Sequence, residues 1–365
     1  MRKRFWRACL AAAAVSLLAA CGGGKQTSSN DIGLWTDTNY PSYIPRVTYF
    51  GQRADWSHDG KRILFVEKTY GDVYEVELAT GIIRPMTHHY YHNGYTRALY
   101  LSNGDILLSG SRTFDPENPG PARHKTAELW VLSQKLDGPP VALGTFCSEG
   151  PAVSRTRLHI AWTIDHDNYP DKLPEHTSQI WVADIDYSGG TPRLANKKLV
   201  LDSRKVNYGG NFETQNFVPP DESRLTFSAY GYQGTEVMML DLKTGEVSNM
   251  SQAPGQYDEP EGIFPDGKYT TVECDKHSGK GTDYIDIYKL RLDGSGRTER
   301  LTYFAEYPGY KATNPVVSDD GGYMAFQFAR KGDPAGVGRG ILIFDLAMYE
   351  KLKRTGGISP IETDK

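Results

Sequence analysis

The sequence predicts an all-β protein, a six-bladed β-propeller of four-stranded blades that is closed by an N-terminal strand. Six tight turns recur along the chain at intervals of 44 to 65 residues, and short apolar strands flank each of them. Repeats of about this length with four strands each are typical of propeller blades. The apolar runs are too short, and too often interrupted by turn residues, to be helices. The six turns are marked by Asp59, Asn103, Thr156, Asp221, Asp266 and Asp320.

The composition of the 365-residue chain is that of a folded globular protein. It is 39% hydrophobic and 24% charged, which excludes a disordered or collagen-like chain, and its four cysteines are too few for a disulfide-stapled one. The formal net charge is −4, and no run of Lys or Arg follows Arg7. Because a surface of this sign does not attract phosphates, we expect no nucleic-acid partner.

The first 21 residues predict an export signal and a lipid anchor. A basic segment, Arg2–Arg7, precedes an apolar stretch of 13 residues that is too short to span a bilayer as a helix. The sequence Leu18-Ala19-Ala20-Cys21 resembles the lipobox of bacterial lipoproteins, in which the cysteine is acylated and becomes the mature N-terminus. We therefore predict a signal peptide over residues 1–20, a lipid on Cys21, and a tether and lead-in over residues 21–45.

This anchor would place the protein in the bacterial cell envelope, at the outer membrane, on its periplasmic or its surface face. The alternative is a plain secretory peptide with a chance cysteine. Two cysteines, Cys147 and Cys274, remain in the mature chain. An oxidising envelope would permit one disulfide between them. The repeats place them in non-adjacent blades, however, so we predict two separate thiols.

The strand pattern also predicts how the ring closes. In each blade a third strand ends in a turn such as Thr80-Gly81 or Asp293-Gly294, which is typical of hairpins. A fourth strand follows in five blades, but none follows Leu346 in the sixth. The segment Arg46–Phe50 nearly repeats the fifth-blade strand Arg300–Phe304, so we predict that it supplies the missing outer strand. The propeller then spans residues 46–347 without a long unpaired edge, and residues 348–365 form a C-terminal tail.

The repeats resemble the PD40 or TolB-like β-propeller repeat, in which an S-P-D-G-x-x-I-x-F strand pair precedes a strand ending in D-L and a later R-L-T. Trp56–Phe65 and Phe264–Lys268 match the strand pair, Leu240-Asp241-Leu242 matches the D-L strand, and Arg300-Leu301-Thr302 matches the last element. The third and fourth repeats depart from the pattern at their turns. The resemblance implies the fold over residues 46–347 but no single function, because propellers include binding proteins, scaffolds and enzymes.

The long loops lie on one face of the predicted propeller, which is where repeat proteins usually bind ligands. These loops are residues 113–126, 165–178, 275–283 and 331–340. Polar residues six or seven positions before the turn markers, with their neighbours, should collect at the mouth of the channel on this face. Either they fill a wet channel, or they form a polar-ligand pocket in which arginines bind a carboxylate. The candidate ligand-binding residues are Arg53, Arg97, Tyr95, Glu149, Glu213, Gln215, Glu259, Glu261 and Asn314.

Histidines are also concentrated in the loops of this face. Neutral imidazole with a carboxylate is a common ligand set for divalent metals, so a bound manganese, zinc or calcium ion is one prediction. The alternative is a set of solvated or hydrogen-bonded loop histidines, since no strict metal motif such as H-E-x-x-H occurs. The candidate metal ligands are His88, His89, His92, His166 and His277.

Two functional hypotheses follow. In the first, the protein is a lipid-anchored recognition module whose loop-rich face binds an envelope protein, a peptide or a glycan. In the second, it is a carbohydrate-active enzyme, such as a metal- or Arg-assisted lyase acting on uronic-acid oligosaccharides. Arg53 or Arg97 would then neutralise the carboxylate, and a histidine from His88–His92 or Tyr95 would abstract the adjacent proton. No G-x-S-x-G motif is present, which argues against a propeller peptidase with a hydrolase domain.

Overall fold

The computed structural model describes Trp35 and residues 39–307, 309–333 and 336–357. Within these residues, six antiparallel sheets follow one another along the chain, which confirms the predicted six-bladed propeller. Five sheets have four strands and the last has three, each ordered from its innermost to its outermost strand. Blade 6 packs against blade 1 through β21 (Tyr310–Val317) and β1 (Gln52–Trp56), so the ring is closed.

The strand bounds agree with the predicted strands and extend most of them by a few residues. The strands of blades 1 to 3 are β1 Gln52–Trp56, β2 Arg62–Val66, β3 Val73–Glu77, β4 Ile83–Pro85, β5 Arg97–Tyr100, β6 Ile106–Ser111, β7 Ala127–Leu132, β8 Val141–Phe146, β9 Ala152–Val153, β10 His159–Asp165, β11 Ser178–Asp186 and β12 Arg193–Asp202. The strands of blades 4 to 6 are β13 Asn211–Phe217, β14 Arg224–Tyr230, β15 Thr235–Asp241, β16 Val247–Asn249, β17 Asp258–Ile263, β18 Tyr269–Cys274, β19 Asp286–Arg291, β20 Thr298–Arg300, β21 Tyr310–Val317, β22 Tyr323–Arg330 and β23 Ile341–Asp345.

The helices of the described chain are few and short. Helix α1 spans Gly120–His124 in the long β6–β7 loop, and helix α2 spans Leu346–Arg354 directly after β23. Three short 3₁₀ helices lie at Ser203–Lys205, Thr282–Tyr284 and Phe304–Glu306. Helix α2 takes the place of a fourth strand in blade 6, because the Asp345 side chain accepts a hydrogen bond from the N–H of Met348 (2.8 Å) and starts the helix at once.

The N-terminal segment completes blade 6, as the sequence predicts, although its register differs. The N–H groups of Asp345 and Ile343 donate to the carbonyls of Tyr43 and Pro45 (2.8 and 3.0 Å), and the N–H of Val47 donates to Ile341 (2.8 Å). The paired segment is therefore residues 43–48 rather than Arg46–Phe50. Tyr49 and Phe50 form the bend by which the chain passes towards β1, and Gly51 then accepts a hydrogen bond from the N–H of Gly340 (3.2 Å).

The lead-in before the closing strand is packed onto the propeller. Trp35 is 2% exposed, and its ring contacts the edges of Tyr303 and Phe304 at centroid distances of 5.4 and 5.2 Å. Tyr43 meets Phe344 from blade 6 at 5.0 Å and Tyr349 from α2 at 5.5 Å. These aromatic contacts join the chain ahead of the propeller to the helix that follows it.

Several sequence predictions concern residues outside the described ones: the signal peptide, Cys21 and the tether up to residue 34. In the part of the chain that the structure describes, no helix is long and apolar enough to cross a membrane. Cys147 and Cys274 are both buried and unpaired, which confirms the prediction of two separate thiols.

Candidate functional site

Bulges in the innermost strands aim polar side chains into the central channel. The pairing register shifts by one residue between Gln52 and Asp55 in β1, and equivalent shifts occur in β13, β17 and β21. Each bulge leaves one extra residue on the channel side, and such insertions redirect a side chain. The residues at these bulges are Arg53, Gln215, Glu261 and Asn314, all of which are predicted ligand-binding residues.

The channel contains two cavities. The upper cavity, on the loop-rich face, has a volume of about 530 Å³, and the lower cavity, at the opposite mouth, has a volume of about 330 Å³. Arg53 and Glu261 line both and form the waist between them. The polar residues that line the upper cavity include Arg53, Arg123, Glu149, Glu213, Tyr230, Tyr257, Glu259, Glu261, Glu273, Lys311, Thr313 and Asn314.

Most of the predicted ligand-binding residues therefore meet in one place. Arg97 and Gln215 line the lower cavity, and the others, apart from Tyr95, line the upper one. Tyr95 lines neither cavity: it is 4% exposed, and its hydroxyl meets that of Tyr90 at 3.0 Å within a loop cluster. Tyr95 lies close in sequence to the residues expected at the channel mouth. It precedes β5, however, and its side chain turns into the core between blades 1 and 2.

Arg97 crosses the channel at the waist. From blade 2 its Nη2 donates to Glu213 of blade 4 (3.1 Å), and its Nη1 lies 3.6 Å from Glu261 of blade 5. Burial opposes the charge, but the carboxylates of Glu261 and Glu213 outweigh it and raise the pKa of Arg97. Arg97 thus links blades 2, 4 and 5 across the waist, below the upper cavity, which we call the funnel.

The acidic side of the funnel, on blades 4 and 5, contains carboxyl groups that are hard to ionise. Burial, followed by the charges of neighbouring carboxylates, raises the pKa of Glu213 and of Glu259 to about 7. The hydroxyl of Tyr230 lies between them, 2.7 Å from Glu213 and 2.5 Å from Glu259. A hydroxyl donates only one proton, so both contacts are hydrogen bonds only when one carboxyl is protonated. Tyr257 donates to the other oxygen of Glu259.

The basic side of the funnel comes from blades 1 and 2. Arg123, on helix α1, donates to Glu149, and although burial opposes ionisation, Arg123 and Arg53 lower the pKa of Glu149. Arg123 is therefore both ion-paired and hydrogen-bonded to Glu149, whereas the neighbouring Arg53 is held more loosely. The Nη1 of Arg53 lies 3.9 Å from Glu149, which is an ion pair without a hydrogen bond.

Arg53 is the most unusual residue of the site. It is 8% exposed, and neither its Nε nor its Nη1 has a hydrogen-bond partner among the described residues. Its backbone has φ = 53°, in the left-handed region, and is held there by a hydrogen bond from its N–H to Gln327 Oε1 (2.8 Å). Burial and the charges of Arg97 and Arg123 lower its pKa. The site thus holds a guanidinium that the protein itself does not satisfy.

A second arginine closes the lower mouth of the channel. Arg155, from the turn of blade 3, donates to Asp319 of blade 6 (2.8 Å), Asp55 of blade 1 (3.3 Å) and the carbonyl of Trp56 (2.9 Å). Blades 3 and 6 lie on opposite sides of a six-bladed ring, so this side chain spans the opening. The departure of the third repeat from the turn pattern was the only sequence signal for it.

Sequence reasoning also missed several residues of the upper cavity, namely Arg123, Tyr230, Glu273 and Lys311. Arg123 lies in the long loop at residues 113–126, so the insertion itself was the available signal. Tyr230 and Glu273 lie at the ends of second strands, and their side chains reach the funnel although they belong to no innermost strand. The hairpin pattern alone does not distinguish these positions from ordinary strand residues.

The candidate metal ligands do not converge. His88 and His92 share Asp72 (3.4 and 2.8 Å), but a ring nitrogen of each of the other three meets a different partner, none of them a carboxylate. No group of three His, Cys, Asp or Glu side chains suited to a metal ion occurs among the described residues. The loops belong to different blades, which keeps the histidines apart. The other contacts are His89 to Gly138 O (3.1 Å), His166 to Leu173 O (2.7 Å) and His277 to Tyr288 Oη (3.1 Å).

Comparisons with known proteins support the fold. No family model matches the chain, and no curated protein sequence matches it significantly. Among solved structures, a gluconolactonase from Xanthomonas campestris has a TM-score of 0.52 at 11% identity, over 83% of this chain and 89% of that one.

Two weaker structural matches are a putative TolB and an oligogalacturonate lyase. The TolB, from Agrobacterium tumefaciens, has a TM-score of 0.37 at 16% identity, over 80% of this chain and 78% of that one. The lyase, from Vibrio parahaemolyticus, has a TM-score of 0.46 at 14% identity, over 78% of this chain and 73% of that one. At such identities a likeness concerns the fold alone. The chain is thus a six-bladed β-propeller, and its repeats resemble the TolB-like pattern.

Proposed function

We propose that this protein is a lipid-anchored β-propeller of the bacterial cell envelope that binds a polar ligand with an anionic group in the upper cavity. The observation that carries the proposal is the guanidinium of Arg53, whose Nε and Nη1 have no hydrogen-bond partner among the described residues, which is 8% exposed and which lines a cavity of about 530 Å³. Leaving a buried charged donor unsatisfied costs more than about 1–3 kcal/mol per group. A bound carboxylate or similar anion would recover this cost through a bidentate contact.

The backbone at Arg53 supports a ligand-binding role over a purely structural one. A non-glycine residue in the left-handed region costs on the order of 1 kcal/mol, and Arg53 carries this cost in addition to that of its unpaired side chain. Two unfavourable features at one residue are typical of functional sites. A side chain that only filled a wet channel would need neither of them.

The predicted lipobox supports the cellular setting. With a lipid on Cys21, the loop-rich face would meet an envelope protein, a peptide or a glycan. Each of these can present a carboxylate: proteins and peptides at a terminus or an acidic side chain, and glycans at a uronic acid. The volume of the upper cavity is in the range of small-molecule sites, so the ligand is either small or the polar end of a larger molecule.

The proposal is tested by measuring the binding of carboxylated probes to the purified full chain by calorimetry. The probes are digalacturonate, L-alanyl-L-alanine and muramic acid. The variant Arg53→Gln should weaken the binding of any probe that binds the wild type by about tenfold or more. The matched control is Arg112→Gln, because Arg112 is 57% exposed and pairs with Glu128 outside the channel. Unchanged affinity in Arg53→Gln, or equal losses in both variants, would contradict the proposal.

A second candidate function is a lyase acting on uronic-acid oligosaccharides. It is favoured by the two carboxyl groups whose pKa is raised to about 7, since a general base is most effective when its pKa lies near the working pH. With the substrate carboxylate on Arg53, Glu259 would remove the proton on the carbon beside that carboxylate. The bond to the leaving sugar oxygen would break, the oxygen would be protonated, and a carbon–carbon double bond would remain.

This reaction produces an unsaturated uronate that absorbs in the ultraviolet. Incubation of oligogalacturonate with the wild type should increase this absorbance, and Glu259→Gln should abolish the increase while keeping the binding of the substrate. If the wild type binds oligogalacturonate through Arg53 without forming the unsaturated product, the protein is a binding module and the lyase hypothesis is wrong.

A further inference from the structure

We infer that the ligand of the upper cavity is a small zwitterion, whose carboxylate binds Arg53 and whose protonated amine binds the acidic wall formed by Glu213, Glu259 and Glu273. The inference rests on the proposed function and specifies the chemistry of the ligand. It follows from the groups that line the cavity, since one wall has Arg53 N–H groups without hydrogen-bond partners and the opposite wall has a surplus of carboxyl groups.

The basic wall has donors without acceptors. Three arginines lie at or near the waist: Arg97 pairs with Glu213 and Glu261, Arg123 with Glu149, and Arg53 makes a looser ion pair with Glu149 at 3.9 Å. Of these three, Arg53 lacks a hydrogen-bond partner at two nitrogens, Nε and Nη1, whereas Arg97 lacks one only at Nε. A ligand carboxylate that binds the edge formed by Nη1 and Nη2 of Arg53 would satisfy Nη1.

The acidic wall lacks a cation. Five glutamates, against three arginines, occupy the cluster, so full ionisation would leave two carboxylates uncompensated. Lys311 compensates them only in part: its charge lowers the pKa of Glu273 less than burial and the neighbouring carboxylates raise it, and its Nζ donates to the carbonyl of Thr282 (3.0 Å) and lies 4.0 Å from Asp283. Burial and mutual repulsion therefore raise the pKa of Glu273 and Glu259. The five glutamates are Glu149, Glu213, Glu259, Glu261 and Glu273.

Two tyrosines beside the carboxylates also make the acidic wall suitable for an ammonium group. Tyr230 and Tyr257 both contact Glu259 and line the same part of the cavity. Aromatic rings beside carboxylates attract a cation through both the ring face and the charge. An ammonium in this position would donate hydrogen bonds to the carboxylates and supply the missing positive charge.

A ligand with only one of the two charges fits less well. A simple carboxylate would leave the excess glutamates uncompensated and would be repelled by them, and a simple amine would leave Arg53 unpaired. Each would forfeit one contact and keep one repulsion, which is how a binding site excludes related molecules. The cavity, at about 530 Å³, has room for both charges on one molecule.

The inference is tested by calorimetry on the full chain with a zwitterion and its two blocked derivatives. L-alanyl-L-alanine carries both charges, N-acetyl-L-alanyl-L-alanine lacks the amine, and L-alanyl-L-alanine amide lacks the carboxylate. We expect the free dipeptide to bind about tenfold or more tightly than either derivative. Muramic acid, which also carries an amine and a carboxylate, distinguishes an amino-sugar source from a peptide source, and tighter binding of either supports the inference.

Two variants assign the charges to the walls. Arg53→Gln should remove the discrimination between the free acid and the amide but keep that between the amine and its acetyl derivative. Glu259→Gln should remove the discrimination between the amine and its acetyl derivative but keep that between the free acid and the amide. A variant that only perturbed the structure would weaken all probes equally, and Arg112→Gln should leave all affinities unchanged.

The outcomes also separate this inference from the proposed function. If digalacturonate binds in an Arg53-dependent manner while the dipeptide and muramic acid do not, the cavity is an anion site and the zwitterion inference is overturned. Equal binding of the free and blocked dipeptides overturns it as well. If no probe of either kind binds, the inference and the proposed function both fail.

Discussion

Arg155 offers the sharpest test of how the propeller is held together, because one side chain joins three blades across the lower mouth. The variant Arg155→Leu removes its contacts with Asp319, Asp55 and Trp56 and leaves a shorter, uncharged apolar side chain. Asp55 is 2% exposed and would keep only the hydrogen bond from the N–H of Tyr100 (2.7 Å). The variant therefore leaves a buried carboxylate without its counter-charge.

The expected loss follows from this burial. Removing one partner of a buried ion pair costs about 3–5 kcal/mol, and the lower value applies because Asp319 is partly exposed and keeps its contact with His58 (2.9 Å). For a domain of roughly 300 residues, an unfolding entropy of about 0.6 kcal/mol per degree converts about 3 kcal/mol into a Tm lower by about 5 °C. Urea unfolding followed by tryptophan fluorescence measures the free energy, and calorimetry measures the Tm.

The pH dependence identifies the cause of this loss. Burial raises the pKa of Asp55 even with Arg155 present, so the loss of the guanidinium should raise it further. A carboxyl whose folded pKa is raised stabilises the protein at pH values below its unfolded pKa, and this stabilisation is lost as the pH rises. Arg155→Leu should thus be less harmful at pH 4 than at pH 8, and adding Asp55→Asn should remove that difference.

The matched control is Arg193→Leu. Arg193 makes an equally short ion pair with Asp186 (2.7 Å), but its side chain is 65% exposed. Exposed pairs contribute about 0–1 kcal/mol, so this variant should be nearly neutral. If Arg155→Leu lowers the stability no more than Arg193→Leu does, the cross-channel contact does not hold the blades together and the reasoning is refuted.

Three further predictions concern other parts of the molecule. Trp35→Ala should lower the free energy of unfolding, measured in urea, by about 3–5 kcal/mol, because Trp35 is 2% exposed. The control Tyr91→Ala should change it little, because Tyr91 is 90% exposed. Similar losses in the two variants would show that the lead-in does not stabilise the propeller. Glu259→Gln should reduce the loss of stability between pH 5 and pH 8, since the folded pKa of Glu259 is raised to about 7; an unchanged pH slope would argue against an ionising Glu259. Burial raises the pKa of the Cys147 and Cys274 thiols, so a thiol reagent followed by peptide mass spectrometry should label them only in denaturant, and rapid labelling of the native protein would contradict their burial.

The candidate site was predictable only in part. Counting back from the turn markers identified the bulge residues Arg53, Gln215 and Asn314, because the repeats keep the same distance between the channel and the turn. It did not identify Arg123 or Tyr230, which reach the funnel from a helix and from the end of a second strand. Their positions depend on how loops and hairpins of different blades pack against one another, and no local sequence pattern determines that packing.

The fold could be read from the sequence because its determinants are local. Strand runs, Asp-Gly and Thr-Gly turns and the spacing of the repeats act within a few residues, so each blade is specified by its own segment. The ring closure was also predictable, since the missing strand of blade 6 and the extra strand ahead of blade 1 form a matching pair. The exact register of residues 43–48 was not, because it depends on where the chain turns into β1.

Only the tertiary structure decided which charges are paired. Arg97 and Glu213 are 116 positions apart, and Arg155 and Asp319 are 164 apart, yet each pair forms a hydrogen bond across the channel. The sequence shows that arginines and glutamates face a common channel, but Coulomb attraction and desolvation depend on distances and burial that exist only once six blades have closed. For that reason Arg53, which occupies the same position in its repeat as Arg97, is the guanidinium whose Nε and Nη1 both lack hydrogen-bond partners among the described residues.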